Sequence, residues 1–171
     1  MTITLTQTIR LFLLALLTMS VVACGFHLRG NGSVPSKLKV LTLTSESGSD
    51  SFDRALRIAL GKANVVILDK NKATKDTLDL KINSITTSDT ELARDGNNDV
   101  SQIQRRLSSA YFIRQADGKS VYGPRTITTT KTLTNQNAEE SAKISYNQAQ
   151  AESMSEDLAK QLIYDLTYAP F

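Results

Sequence analysis

The chain has 171 residues, 40% hydrophobic and 22% charged, with 20 Lys and Arg against 17 Asp and Glu for a formal charge of +3. That is the make-up of an ordinary folded protein long enough for one domain, and it is far from the dense cationic face of a nucleic-acid binder. A single cysteine and a single histidine exclude both a disulfide framework and a Cys/His metal cluster.

The chain opens with an export signal. Arg10 precedes the apolar run Leu11-Phe12-Leu13-Leu14-Ala15-Leu16-Leu17, a charged region and a hydrophobic core too short and one-sided for a stable membrane span. Val21-Val22-Ala23-Cys24 ends it and looks like a bacterial lipobox, cut immediately before the cysteine. The small Ala23 lets a peptidase approach the backbone, and the Cys24 thiolate is nucleophilic enough to take a lipid. The expected product lacks residues 1–23 and begins at an N-palmitoyl, S-diacylglycerol Cys24. Each buried methylene contributes about 0.8 kcal/mol, so three acyl chains hold a protein on a membrane where one does so only marginally.

The residues after the cut, Cys24-Gly25-Phe26-His27-Leu28-Arg29-Gly30 followed by Val34-Pro35, resemble the start of the LPS-assembly lipoprotein family (LptE, formerly RlpB). Members are similar in having Cys-Gly, an aromatic, His-Leu-Arg, a short spacer and a proline. The resemblance implies several things. Gly25 rather than Asp after the cysteine implies sorting to the outer membrane. The partner would be the LPS-assembly outer-membrane β-barrel protein LptD. The domain would sit in that barrel as a plug and help place lipopolysaccharide in the outer leaflet, with direct LPS binding.

Residues 24–36 read as a lipidated N-terminus and tether, reaching roughly 40 Å at full extension or roughly 20 Å as a coil. Residues 37–171 read as one domain. Lys37 to Thr44 alternates as a first strand, with Leu38, Val40 and Thr42 on one face. Phe52, Ala55, Leu56, Ala59 and Leu60 form one face of a helix capped by Asp50 or Ser51 and ended at Asn64. Val65 to Leu68 is a short buried strand. Strand, helix, strand with short links predicts a parallel pair.

Leu78, Leu80 and Ile82 alternate as the next strand. Ile85 breaks the parity, which predicts a bulge near Asn83 before the strand runs on towards Ala93. Arg94 to Asp99 supplies the turn residues of a hairpin tip. The return strand puts Ile103, Leu107, Tyr111 and Ile113 on one face, Asp117-Gly118 turns the chain, and Tyr122 to Leu133 is a Thr-rich strand whose Pro124 suits an edge or a strand end. From about Ala138 to Thr167 the pattern is helical, with a stripe at Ala151, Met154, Leu158, Leu162 and Leu166. The expected fold is α+β: a two-layer sandwich with two helices packed on one face of a mixed β-sheet.

No phosphate-binding glycine loop, nucleophile elbow or metal-ligand spacing occurs, so no enzyme, cofactor or metal is expected. Two functions from different classes follow. One is the lipid-handling subunit that the resemblance implies. The other is a structural envelope lipoprotein, a scaffold with no lipid ligand, which composition alone favours. Barrel association and LPS binding separate them.

A binder of lipopolysaccharide phosphates and carboxylates needs accessible cations. Lys70, Lys72 and Lys75 read as a solubilising loop, and Arg114 and Arg125 as strand-end charges. Arg105 and Arg106 point to opposite faces, leaving at most one available at a given surface. Arg94 abuts the Asp95-Gly96 turn at an exposed tip, where its fork can hold a phosphate. Lys143 stands in the first turns of the long helix, against the local dipole. Arg94 and Lys143 are therefore the expected LPS contacts.

Overall fold

The computed structural model describes residues 33–171; Cys24, the signal and most of the tether lie outside them. Pro35 starts a 3-10 turn at Ser36–Leu38, closed by Leu38 N–H donating to the Pro35 carbonyl. That turn removes Leu38 from the first strand, so β1 is Val40–Ser45 and its parity differs from the expected one. Leu41 is buried and Leu43 packs on the core, while Val40 is 46% exposed. Val34 is itself a core residue, so the packed domain reaches back into the stretch read as tether.

Helix α1, Asp50–Lys62, is capped by Ser49, whose Oγ accepts from the Phe52 N–H. The cap falls one residue earlier than expected because Ser49 takes the extended backbone that a cap needs. Asp50 and Asp53 stand at its positive end and Lys62 at its negative end. Asn64 ends it in the left-handed region at φ 57°. Strand β2, Val66–Leu68, pairs parallel with β1, as the strand-helix-strand pattern predicts. It is an edge strand rather than a buried one: Val66 is 55% exposed, and Val65, just before it, is the buried residue.

β3, Leu78–Ile82, lies parallel to β1 on its other side. β4, Thr86–Arg94, continues in the same direction after the break at Asn83. Both pair antiparallel with the long strand β5, Val100–Arg114, β3 along its second half and β4 along its first. The bulge expected near Asn83 is thus the junction of two strands on one edge of β5, bridged by Asn83 N–H donating to the Ala110 carbonyl. β6, Ser120–Leu133, covers the opposite edge of β5 from Ile103 to Arg114. It pairs with nothing else, in keeping with its Pro124.

Helix α2, Glu140–Thr167, closes the chain. Met154, Leu158, Leu162 and Leu166 are fully buried on its stripe, joined by Ser155 and Ala159. They meet Phe52, Leu56 and Leu60 of α1 and the sheet residues Leu80, Ile82, Tyr111, Ile113 and Ile127 in one core. Full burial of each such side chain stabilises the fold by about 1.5–3 kcal/mol. Polar ties fix the layers. Ser51 and Ser155 link the helices through their hydroxyls at 2.9 Å, Lys131 Nζ donates to Ser153 at 2.9 Å, and Tyr111 donates its hydroxyl to Asp165 at 3.1 Å. Burial, with the Asp165 carboxylate beside it, pushes the Tyr111 phenol well above its usual range. The result is the two-layer α+β sandwich, two helices on one face of a six-stranded mixed sheet.

Candidate functional site

The N-terminal half of β5 buries Ile103 and Leu107 on its inner face. Between Val100 and Ser108 the strand does not pair with β3 and forms, with β4 and β6, a three-stranded ribbon ending at the tip Asp95 to Asp99. Asn98 takes φ 68° there, a conformation that asparagine tolerates better than most side chains. Asp95 organises the turn: its Oδ1 accepts from the N–H groups of Asn97 and Asp99, each at 2.9 Å. Its Oδ2 accepts from Asn137 Nδ2 at 3.0 Å. The Asn137 amide and these backbone donors hold the Asp95 carboxyl below the ordinary range.

Asn137 belongs to the connection from β6 to α2, so that bond straps the hairpin tip to the start of the helix. Gln136 adds to the strap with its backbone N–H on the Ser101 carbonyl at 3.2 Å. Its side-chain amide pairs with Asn147 on α2 in both directions, at 3.0 and 3.2 Å. Thr134 meets the Tyr146 hydroxyl. The tip, the connection and the first turns of α2 thus form one polar end of the molecule.

Both cations singled out in the sequence are carried by elements of that end. Arg94 closes β4. Its Nη1 donates to the Asn98 carbonyl at 2.9 Å and its Nη2 pairs with Glu91. Phosphate capture by this fork has to displace Glu91, an exposed partner, and exposed ion pairs contribute little. Lys143 stands one turn into α2, half-buried and 3.7 Å from Glu140. The remaining arginines are placed otherwise. Arg105 is bidentate to Asp89, through Nε at 2.8 Å and through Nη2, and this holds Asp89 below the usual carboxylate range. Arg114 is committed to Asp79 at 2.7 Å, and Arg125 faces Asp165 at 3.4 Å. Asp95, Gln136, Asn137 and Asn147 were legible only as turn and helix residues, because their roles depend on contacts up to 42 positions apart.

A groove between the outer faces of α1 and α2 is lined by Arg54, Ile58, Glu152, Glu156 and Lys160. Among the described residues no cluster of His, Cys, Asp and Glu has metal-binding geometry. No helix among them is long and apolar enough to cross a membrane.

The same fold occurs in the crystal structure of a minor lipoprotein from Acinetobacter baumannii. It is 19% identical, with 76% of this chain and 91% of that one covered and a TM-score of 0.64. It also occurs in rare lipoprotein B from Shewanella oneidensis, 16% identical over 74% of this chain and 92% of that one, TM-score 0.62. The architecture is therefore that of small bacterial lipoproteins. No protein-family model matches the chain. Its sequence is 30% identical over 154 residues to the LPS-assembly lipoprotein LptE of Photorhabdus laumondii, with 90% of this chain and 82% of the relative covered. It is likewise 30% identical over 161 residues to LptE of Pectobacterium atrosepticum, covering 92% and 85%. The chain belongs to the LptE family of LPS-assembly lipoproteins. Membership makes it a lipoprotein of LPS transport and outer-membrane assembly, and not an enzyme.

Proposed function

We propose that this protein is anchored in the outer membrane through an N-palmitoyl, S-diacylglycerol Cys24 after loss of residues 1–23. There it assembles with the β-barrel LptD as its plug and contacts lipopolysaccharide through Arg94 and Lys143. The observation that carries the reading is the Asp95–Asn137 strap, which ties the element bearing Arg94 to the connection that leads into the helix bearing Lys143. Two cations from distant parts of the sequence then belong to one polar end, as an anionic ligand requires. Family membership supports the partner, and a polar-surfaced sandwich suits a barrel lumen, which is itself polar.

Three measurements test it. Intact mass of membrane-extracted protein should show residues 1–23 lost and three acyl chains gained; an unmodified thiol at Cys24 overturns the anchor. Photo-crosslinkers at Asn97 and Ile144 should trap barrel residues. Trapping of periplasmic proteins alone would replace the plug with an envelope scaffold. Charge reversal of Arg94 and Lys143 together should weaken LPS binding and flatten its salt dependence while folding and barrel association persist. Unchanged LPS affinity removes these two residues from the site.

A further inference from the structure

The ribbon sorts its side chains strictly by face. Register partners stand directly opposite one another, so the face turned away from the helices reads as three rows across β4, β5 and β6. The rows are Thr90-Gln104-Thr132, Ser88-Arg106-Thr130 and Thr86-Ser108-Thr128. Strands lie about 4.8 Å apart and alternate residues about 7 Å apart, so these nine side chains cover roughly 10 by 14 Å. Eight are neutral hydroxyls or amides, none is apolar, and the ninth, Arg106, stands at the centre. Hydroxyls and backbone already cooperate along one row: Ser108 and Thr128 lie 3.2 Å apart, and Thr86 donates to the Ser108 carbonyl at 3.1 Å.

Charge is sorted with the same precision of alternation. Arg105, one residue earlier, faces the helix side and is neutralised by Asp89. Arg106 is exposed, and among the described residues no carboxylate lies within ion-pair distance of it. The acidic residues of this ribbon, Asp89 and Glu91, stand on the other face, opposite Arg105 and Ile103. An uncompensated cation on the middle strand, ringed by neutral donors and acceptors, is complementary to one anionic group set among hydroxyls.

We propose that this face binds the phosphorylated or carboxylated sugar portion of lipopolysaccharide, with Arg106 gripping the anionic group and the Ser, Thr and Gln side chains meeting sugar hydroxyls. This rests on the LPS-handling function above and adds a second contact, on the sheet rather than at the tip. Other occupants suit the face less well. A membrane surface calls for interfacial aromatics or several cations, a nucleic acid for many phosphate contacts, and a protein interface for an apolar centre. The guanidinium fork takes a phosphate or carboxylate bidentately, and sugar hydroxyls exchange hydrogen bonds with Thr and Gln in either sense.

The test uses the purified full-length lipoprotein. Rough lipopolysaccharide with intact core and lipid A phosphates is the probe, and the same material after dephosphorylation is the control. Arg106→Glu should weaken binding of the intact probe about tenfold or more, the loss of one charge-assisted hydrogen bond. Ser88→Asp places a carboxylate directly across from Arg106 and should give a similar loss with the arginine still present. Neither variant should shift the thermal midpoint beyond that of the exposed control Lys160→Glu. The dephosphorylated probe should bind wild type and variants alike. Intact affinity in both variants overturns the proposal and leaves the LPS-binding function standing, whereas failure of the wild type to bind the probe overturns both. Loss of LptD copurification with LPS affinity retained assigns the face to the barrel wall and likewise overturns it.

Discussion

The two halves of β5 live in different chemistry. From Tyr111 to Arg114 the strand lies between β3 and β6, over the buried leucines of both helices. On the face away from the helices that half still builds a partly buried polar cluster. Asp79 accepts from Thr42 at 2.9 Å, Thr44 at 2.8 Å and Arg114 at 2.7 Å. From Val100 to Ser108 the strand lies between the edge strands β4 and β6, and its outer face is hydroxyls around one unneutralised arginine. The half over the helices uses both faces to hold the fold, whereas the tip half buries Ile103 and Leu107 on its inner face and leaves only its outer face available. Stability and recognition are thereby separated along a single strand, and substitutions in the two halves should have different signatures.

The largest effect belongs to the half over the core. Phe52→Ala empties a fully buried site between α1 and the sheet and should cost about 3–5 kcal/mol, read from the midpoint of denaturant unfolding. A loss below about 1 kcal/mol would mean that this core is not what holds the domain. Next comes Arg114→Met, which strips Asp79 of its cation while the carboxylate stays only 14% exposed. The expected cost is about 2 kcal/mol, less than for a fully buried pair because Arg114 keeps some solvent.

The same cluster sets a pH dependence. Burial pushes the Asp79 carboxyl up, but the bonds from Arg114, Thr44 and Thr42 together outweigh it and hold the group below its ordinary range. A carboxyl depressed in the folded state contributes stability that is present above the unfolded carboxylate range of about 4 and is lost as pH falls through the lower folded value. Acid titration of unfolding should therefore show a loss below about pH 4 that flattens in Asp79→Asn; an unchanged acid limb would show that the cluster is not coupled to folding.

In the tip half the expected effects are local and then negligible. Asp95→Ala cuts the strap and should speed amide exchange at Asn97 and Asp99 while leaving the global unfolding midpoint in place. A global shift would merge the two halves into one cooperative unit. Smallest of all, Thr130→Ala on the open face should change stability by less than about 0.5 kcal/mol.

Periodicity carried most of this fold. The α1 face, the α2 stripe and the alternation of β5 all read correctly, because each is a local pattern imposed by one buried surface, while the parity change near Asn83, read as a bulge, is the end of one strand and the start of another. The first strand did not, since the 3-10 turn at Ser36–Leu38 shifts its parity by one and depends on Leu38 finding the core. Val65 to Leu68 read as buried because its composition is apolar, although edge position is a property of the sheet and not of four residues. At the tip, the sequence could nominate Arg94 and Lys143 from local context alone. It could not show that Glu91 holds Arg94, or that Asn137 ties their two elements together. The opposite facing of Arg105 and Arg106 was legible. Which of them kept a partner was not, because Asp89 had first to be placed across the ladder.

The junction at Asn83 has a consequence for how members of such a family can diverge in length. On one edge of β5 the base strand stops at Ile82 and a separate strand begins at Thr86, so the hairpin is grafted onto the body rather than woven through it. Inserting two residues into β4 and two into β5 conserves the alternation and pushes the turn outward by about 7 Å. A one-residue insertion in β5 between Arg106 and Leu107, with the core half held in place, would turn the tip-side residues over and bring Arg105 to the outer face in place of Arg106. Viable relatives should therefore differ here in even steps, with the reach of the hairpin adjustable while the helices and the core beneath them stay the same.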